Sequence, residues 1–106
     1  MVQDNKIQEM QMLEHSFQNL LMQKQAFQME LSETQSALRE IEKSGDEVFK
    51  IIGQLMIKTD KENIEKELSN KKEILGLRMK TLEKQEKSLT EKLEKLREEI
   101  MKNIKE

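Results

Sequence analysis

The sequence contains no proline and no cysteine, and it has only three glycines in 106 residues. Without cysteine the chain cannot form a disulfide framework or use a thiolate in catalysis, which is consistent with a reducing compartment. Aromatic residues make up 3% of the chain and hydrophobic residues 35%, whereas charged residues make up 38%. This composition is too polar for a thick globular core and is typical of long helices.

The sequence also lacks blocks of like charge. Acidic and basic residues alternate along the chain and leave a net charge of -2, so there is no basic field for nucleic acid or an anionic membrane. No segment approaches the roughly 20 apolar residues of a membrane-spanning helix, and the N-terminal stretch lacks the apolar run of a signal peptide. We therefore expect a soluble, cytoplasmic protein.

The residue patterns of catalytic and cofactor sites are missing as well. His15 is the only histidine, and without cysteine it cannot build the usual transition-metal site, so we expect it to be solvated. No phosphate-binding glycine loop or nucleophile motif occurs. Carboxylates and amines are abundant, but a thin helical arm offers no desolvated pocket for acid–base chemistry. We expect no enzymatic activity, no metal and no cofactor.

Apolar residues recur at alternating spacings of three and four from about residue 5 to residue 43, which predicts a long helix with a heptad seam. The seam holds two polar residues, Lys24 and Thr34, which weaken packing but help to fix register. Ser44-Gly45 predicts the end of this helix, because glycine readily takes the left-handed conformation that ends helices. The apolar seam residues are Met10, Leu13, Phe17, Leu20, Phe27, Leu31, Leu38 and Ile41.

A second seam predicts another helix from about residue 60 to residue 104. Leucine falls at every seventh position from Leu68 to Leu96, while Met79, Leu93 and Ile100 fill the other seam position. Lys72 and Glu86 interrupt it. Regularly spaced leucines of this kind are a strong coiled-coil signal.

The segment between the helices, from about residue 47 to residue 58, is rich in β-branched and large apolar residues. Gly53-Gln54 suits a two-residue turn with glycine first, which predicts a tight β-hairpin. A hydrophobic loop that seals the end of two helices is the alternative. A hairpin would make the helices antiparallel, so that Phe27 faces the region of Leu75 and Met10 that of Leu93, in an arm roughly 60 Å long.

The predicted hairpin is apolar on both faces, and one pair of helices cannot cover both. Because an isolated hairpin is marginal in water and leaves its edges open, we expect several chains to combine their strands into a larger sheet or barrel. The predicted fold class is thus mainly α: a long antiparallel two-helix coiled coil joined by one β-hairpin that oligomerises into a larger sheet or β-barrel. We call the residues of the predicted interface the hairpin surface: Val48, Phe49, Ile51, Ile52, Gly53, Leu55, Met56 and Ile57.

Where the two chain ends meet, apolar residues exceed what the seam needs. Met10, Leu13 and Ile100 are explained mostly as a continuation of the seam into the terminal heptads. Met12, Met101 and Ile104, by contrast, lie off the seam. Methionine is flexible and polarisable, so it suits a surface that accepts many apolar sequences. Among these residues Met12, Met101 and Ile104 are candidates for binding apolar partners. We call the whole set the terminal patch: Val2, Ile7, Met10, Met12, Leu13, Ile100, Met101 and Ile104.

Several stretches resemble the β-type subunits of the chaperone prefoldin. The most specific is Val48-Phe49-Lys50-Ile51-Ile52-Gly53 followed by Lys58-Thr59-Asp60-Lys61, and the helical stretches Leu20 to Gln25 and Thr81 to Glu86 are also similar. Phe49 stands where many members of that family carry tyrosine. The similarity covers essentially the whole chain, residues 1–106, as a single prefoldin-like domain.

The resemblance implies a hexamer of two α-type and four β-type subunits, in which the hairpins form a double β-barrel with six projecting arms. It also implies that the arm tips hold unfolded proteins without ATP and deliver them to a group II chaperonin. Under this resemblance the terminal patch would hold the client, and Lys102 and Lys105 are candidates for contact with the chaperonin. Self-association without an α-type partner is the alternative assembly.

Two other functions deserve comparison. A structural coiled-coil tether that binds one defined partner shares the helices, but it does not explain a hairpin that is apolar on both faces. A leucine-zipper DNA-binding protein needs a basic helix before its leucines. Residues 58–67 instead mix lysines with acidic residues, so we reject the DNA-binding interpretation.

Overall fold

The computed structural model describes the backbone of residues 2–105 and the side chains of residues 4–104. Two long helices flank two short strands. Helix α1 spans Val2–Lys43, strand β1 Glu47–Ile52, strand β2 Leu55–Asp60 and helix α2 Lys61–Lys105. No proline interrupts either helix, and good helix formers fill both. The predicted arrangement of two long helices joined by one antiparallel hairpin is confirmed.

The chain packs as two compact units, each of which contains part of both helices. The first unit is formed by the chain up to Ala26 and from Met79 onward, and the second unit is Phe27–Arg78. The second unit therefore contains the hairpin.

In the first unit, α1 and α2 run antiparallel. Lys6 pairs with Glu99 at 3.6 Å, and Lys24 pairs with Glu86 at 2.8 Å. The core between them consists of seam residues, and each fully buried leucine contributes about 1.5–3 kcal/mol of transfer free energy. The buried apolar residues of this unit are Leu20, Met79, Leu82, Leu93, Leu96 and Ile100.

In the second unit, Leu75 and Val48 are buried together with the polar Thr34. The guanidinium of Arg78 lies 5.7 Å from the centre of the Phe27 ring, within the range of a cation–π interaction. Phe27 was expected to face the region of Leu75, and Arg78 is one helical turn beyond that residue.

The ends of the two helices are tied together beside the hairpin. The Ser44 hydroxyl donates a hydrogen bond to the Ile41 carbonyl at 2.8 Å, and the Ser44 amide donates to the same oxygen at 3.1 Å. Lys61 Nζ then donates to the Ser44 carbonyl at 3.1 Å. Ser44, the residue that follows α1, therefore connects the last turn of α1 to the first residue of α2, and we call this contact the clasp.

The predicted seams agree with the observed burial. Every seam position of α1 from Met10 to Ile41 is buried or half-buried. In α2 the seam residues from Leu68 to Ile100 are likewise covered, except for Lys72, which is exposed. A lysine at a seam position can direct its ammonium group into water along its flexible chain.

The hairpin turns at Gly53-Gln54, as predicted. Gly53 has a φ of 59°, and no other described residue has a positive φ. Glycine is therefore required by the backbone conformation of the turn. The register pairs Val48 with Thr59 at one end of the ladder and Ile52 with Leu55 beside the turn. Helix α1 ends next to Ser44-Gly45 as predicted, but not through a left-handed Gly45; the Ser44 bonds to the Ile41 carbonyl close its last turn instead.

Candidate functional site

The hairpin register assigns each apolar side chain to one of two faces. Side chains alternate along a strand, and directly paired residues share a face. Val48 and Ile52 therefore share one face with Leu55 and Ile57. The opposite face carries Phe49, Ile51 and Met56. Both faces are apolar, as the sequence predicted, and the register now separates Met56 from Leu55 and Ile57.

Most of the hairpin surface is exposed. Val48 is buried, but Ile51 is 70% exposed and Met56 67%. Phe49, Ile52, Leu55 and Ile57 are exposed as well. Exposed apolar area of this density on a short two-stranded sheet marks an interaction surface. The free outer edges of β1 and β2 could accept further strands.

The two lysines of the hairpin strands are paired with carboxylates within the second unit. Lys58 lies 3.2 Å from Glu47 on the face of Phe49, and Lys50 lies 2.9 Å from Glu67 of α2 on the face of Val48. Both pairs are solvent-exposed, so each contributes at most about 1 kcal/mol. Each face of the hairpin therefore carries one lysine with a carboxylate beside it, from strand β1 for Lys58 and from α2 for Lys50.

The terminal patch combines covered and exposed residues of the first unit. Met10 and Leu13 are half-buried and Ile100 is buried, so they belong to the seam. Met12 is 71% exposed and Ile104 64%, while Ile7 and Met101 are exposed to a smaller degree. The Lys6–Glu99 pair, 3.6 Å apart, lies beside Ile7 and Ile100, so it brings the two halves of the patch together.

Lys102 is exposed and lines a shallow groove on α2 with Met101 and Arg97. The side chains of Val2 and Lys105, which the sequence analysis also assigned to functional surfaces, lie outside the described residues. His15 is exposed, as expected.

The two polar residues of the α1 seam are each satisfied. The hydroxyl of buried Thr34 donates to the Glu30 carbonyl at 2.8 Å. Lys24 Nζ donates to Glu86 Oε2 at 2.8 Å, and this hydrogen bond raises the pKa of Lys24 while partial desolvation lowers it. The net effect is a raised pKa, so the Lys24 ammonium stays charged within the seam.

Sequence reasoning did not single out four exposed apolar residues, Met22, Met29, Ile74 and Leu77. All four lie off the seams, where a helix pair needs no apolar side chain.

The sequence reasoning also missed a groove in the first unit, which we call the flank groove, although the sequence contains one sign of it, a stretch with little charge. Between His15 and Glu30 the only charged residue is Lys24. The flank groove is lined by Ser16, Asn19, Leu20, Gln23, Gln85, Ser88, Leu89 and Lys92.

Within the described residues, no group of three or more histidine, cysteine or acidic side chains could hold a metal ion. No helix in the same part of the chain is both long and apolar enough to cross a membrane.

Comparison with known proteins identifies the family. The model of the prefoldin subunit family matches residues 4–106. The chain belongs to the prefoldin subunit family. It is 41% identical over 93 residues to the prefoldin subunit beta of Sulfurisphaera tokodaii, covering 86% of this chain and 74% of that protein. It is 44% identical over 89 residues to that of Thermococcus onnurineus, covering 82% and 77% of the two chains.

The structural match is equally extensive. The crystal structure of the prefoldin beta subunit from Thermococcus strain KS-1 superposes with a TM-score of 0.89 and 37% sequence identity, and the match covers 95% of this chain and 90% of that one. The resemblance to β-type prefoldin subunits is therefore confirmed. Prefoldin is a family of chaperone subunits and not of enzymes, and membership implies a chaperone co-factor role and assembly with other prefoldin subunits.

Proposed function

We propose that this chain is a subunit of an ATP-independent holdase, which binds unfolded polypeptides at its terminal patch and delivers them to a group II chaperonin. The assembly is a hexamer of two α-type and four copies of this β-type chain in the cytosol, built on a β-barrel platform made from the hairpins. Membership of the prefoldin family supports the chaperone role.

The main support for the proposed holding activity is the exposure of off-seam apolar residues in the terminal patch. Met12, Met101 and Ile104 do not pack in the helix pair, and each is more than half exposed. Removing one such contact costs a bound client up to about 1.5–3 kcal/mol if the side chain becomes fully buried on binding. Several weak contacts of this kind suit clients with different sequences.

The hairpin surface supports assembly by a separate argument. Its two apolar faces are exposed, and a second face cannot be covered by the chain's own helices. Strands from neighbouring subunits would cover this area and pair with the free strand edges. Lys102 and Lys105 remain the candidates for contact with the chaperonin, because cationic side chains beside the patch could meet acidic groups of a partner.

A structural tether is the alternative function. It would bind one folded partner saturably and would not suppress the aggregation of unrelated proteins. An apolar hairpin exposed on both faces has no role in a two-helix spacer, so the tether is the weaker interpretation.

The function is tested with two double variants of matched chemistry. Met12→Ser/Ile104→Ser removes exposed apolar residues from the terminal patch, and Met29→Ser/Ile74→Ser removes similarly exposed ones from the second unit. We expect only the first to lose much of its ability to stop a chemically unfolded protein from aggregating without ATP. Both should keep the oligomeric mass and helical circular dichroism.

A truncation that begins at Met10 and ends at Glu99 should behave like the terminal-patch variant. Equal losses in the two double variants, or no loss in the first, would show that client binding is not specific to the terminal patch. If the parent protein itself prevents no aggregation, the holdase assignment is wrong.

A further inference from the structure

A stretch of α1 in the first unit is unusually poor in charge. In this chain 38% of the residues are charged, yet Lys24 is the only charged residue between His15 and Glu30. The outward-facing positions of a helix pair are ordinarily charged or strongly polar. Here the exposed positions carry carboxamides and thioethers instead, including Gln18, Asn19 and Met22.

This stretch forms one wall of the flank groove. Its apolar floor consists of Leu20, which is buried, and Leu89, which is half-buried. Ser16, Asn19 and Gln23 of α1 face Gln85 and Ser88 of α2 across the floor, and Lys92 is the one charged lining residue. The groove is open to solvent along its length and has a volume of about 460 Å³.

The lining determines which chemistry the groove can recognise. Carboxamide and hydroxyl groups both donate and accept hydrogen bonds, so they match the N–H and C=O groups of a peptide in either chain direction. The leucine floor suits one aliphatic side chain. For comparison, a groove in the second unit contains Arg39, Glu42, Lys72 and Glu73 among its lining residues. That groove would favour charged partners, whereas the flank groove offers them a single lysine.

We propose that the flank groove is a second polypeptide-binding site, which takes an extended, uncharged segment of a non-native protein. Main-chain amides of the segment bond to the carboxamide and hydroxyl walls, and an aliphatic side chain packs on Leu20 and Leu89. This inference rests on the proposed holdase function and adds a second contact to it. The backbone amides of a folded protein are already paired, so the groove selects unfolded chains.

A photo-crosslinking experiment on the full chain in its assembly tests the site. The sequence has no cysteine, so a single introduced cysteine carries a benzophenone label at one defined position. Ser88→Cys places the label on the groove wall, and Lys87→Cys places it on the adjacent exposed residue, which does not line the groove. Met12→Cys labels the terminal patch. The probe is a reduced, chemically unfolded protein at low and raised salt.

We expect the label at Ser88 to crosslink the client about fivefold more than the label at Lys87. One or two neutral hydrogen bonds would hold the client in the groove about fivefold more often than beside it. The yield at Ser88 should change little with salt, because the contact involves no ion pair. Equal yields at Ser88 and Lys87, with crosslinking at Met12, overturn the flank site alone. No crosslinking at any position and no suppression of aggregation overturn the holdase function and this inference together.

A pair of charge variants provides the second measurement. Gln23→Glu/Gln85→Glu adds two carboxylates to the walls and removes their N–H donors, and Gln18→Glu/Gln25→Glu adds the same charge to exposed positions outside the groove. The first variant should lower crosslinking from Ser88 about fivefold, and the second should leave it unchanged. An equal fall in both variants would show a general effect of charge and would overturn the proposed recognition.

Discussion

Lys24 and Glu86 meet across the seam of the first unit, with Lys24 Nζ 2.8 Å from Glu86 Oε2. Both occupy positions that the heptad pattern assigns to apolar residues. The Glu86 carbonyl also accepts a hydrogen bond from the Thr90 hydroxyl at 2.8 Å. Because a slipped register would leave either charge half-buried without its partner, the pair specifies which turn of α1 lies against which turn of α2.

Breaking this pair from one side should harm the protein more than replacing both residues. Lys24→Met leaves a half-covered carboxylate unpaired, and Glu86→Met leaves an unpaired ammonium, so each should lower the Tm. Lys24→Met/Glu86→Met forms an apolar layer and should recover most of the loss. Thermal unfolding followed by circular dichroism at one protein concentration measures this cycle. Purely additive changes in Tm would show that the two residues do not interact.

The same pair should make stability depend on alkaline pH. The pKa of Lys24 in the folded chain is raised above its ordinary value of 10.5, chiefly by the Glu86 hydrogen bond. The pair therefore stabilises the fold fully below pH 10.5, and this contribution is lost as the pH rises through the higher folded pKa. The Tm of the parent should fall more steeply in that range than that of Lys24→Met. Parallel curves for the two proteins would contradict the assignment.

The same glycine-to-alanine substitution should have opposite effects at two sites. At both Gly53 and Gly76 an added Cβ would meet no atom within 4 Å. Gly76→Ala lies within α2 and should increase the free energy of unfolding by about 1 kcal/mol, because alanine favours helix. Gly53→Ala should decrease it by roughly 1–2 kcal/mol, because the φ of 59° disfavours any Cβ. Denaturant unfolding at fixed concentration measures both, and equal signs would refute the backbone argument.

Assembly should depend on the hairpin surface. Ile51→Asp places an unpaired carboxylate opposite Met56 in the expected shared sheet, at a cost of several kcal/mol, and should split the oligomer. Ile57→Asp places its carboxylate opposite Lys50, which already pairs with Glu67, so it should split the oligomer less completely. Ile74→Asp is the matched control, since Ile74 is exposed on α2 outside the hairpin. Sedimentation should show smaller species only for the hairpin variants. The parent mass for both of them would mean that the hairpin does not hold the assembly together.

The sequence predicted those parts of the fold that follow from periodicity. Heptad spacing identified the covered residues of both seams, including the polar Thr34, and Gly53-Gln54 identified the turn. The distribution of apolar residues over the two hairpin faces could not be read beforehand, because strand partners follow only from the register. Lys72 and Glu86 look alike as interruptions of the α2 seam. Glu86 is covered because Lys24 lies opposite it, whereas Lys72 is exposed.

The candidate sites were predictable in proportion to how apolar they are. Off-seam methionines and isoleucines predicted the terminal patch, because large apolar residues are unexpected on the solvent-facing side of a helix. The flank groove is built mostly from serine, asparagine and glutamine, which are ordinary on any surface. Only the low density of charge from Ser16 to Met29 distinguishes this stretch from the other helical segments. Its walls come from two segments distant in sequence, which composition alone could not bring together.

The clasp at the base of the helices also bears on how such proteins diversify. Lys61 Nζ reaches the Ser44 carbonyl at 3.1 Å, so the chain leaves α1 and enters α2 at nearly the same place. The hairpin between these residues is then a cassette whose ends are held twice, by this contact and by the strand ladder, which runs to Glu47 and Asp60. Insertion, replacement or lengthening of this cassette would leave the entry and exit points unchanged. One helical scaffold could thus acquire new assembly partners through changes confined to the short segment between Ser44 and Lys61.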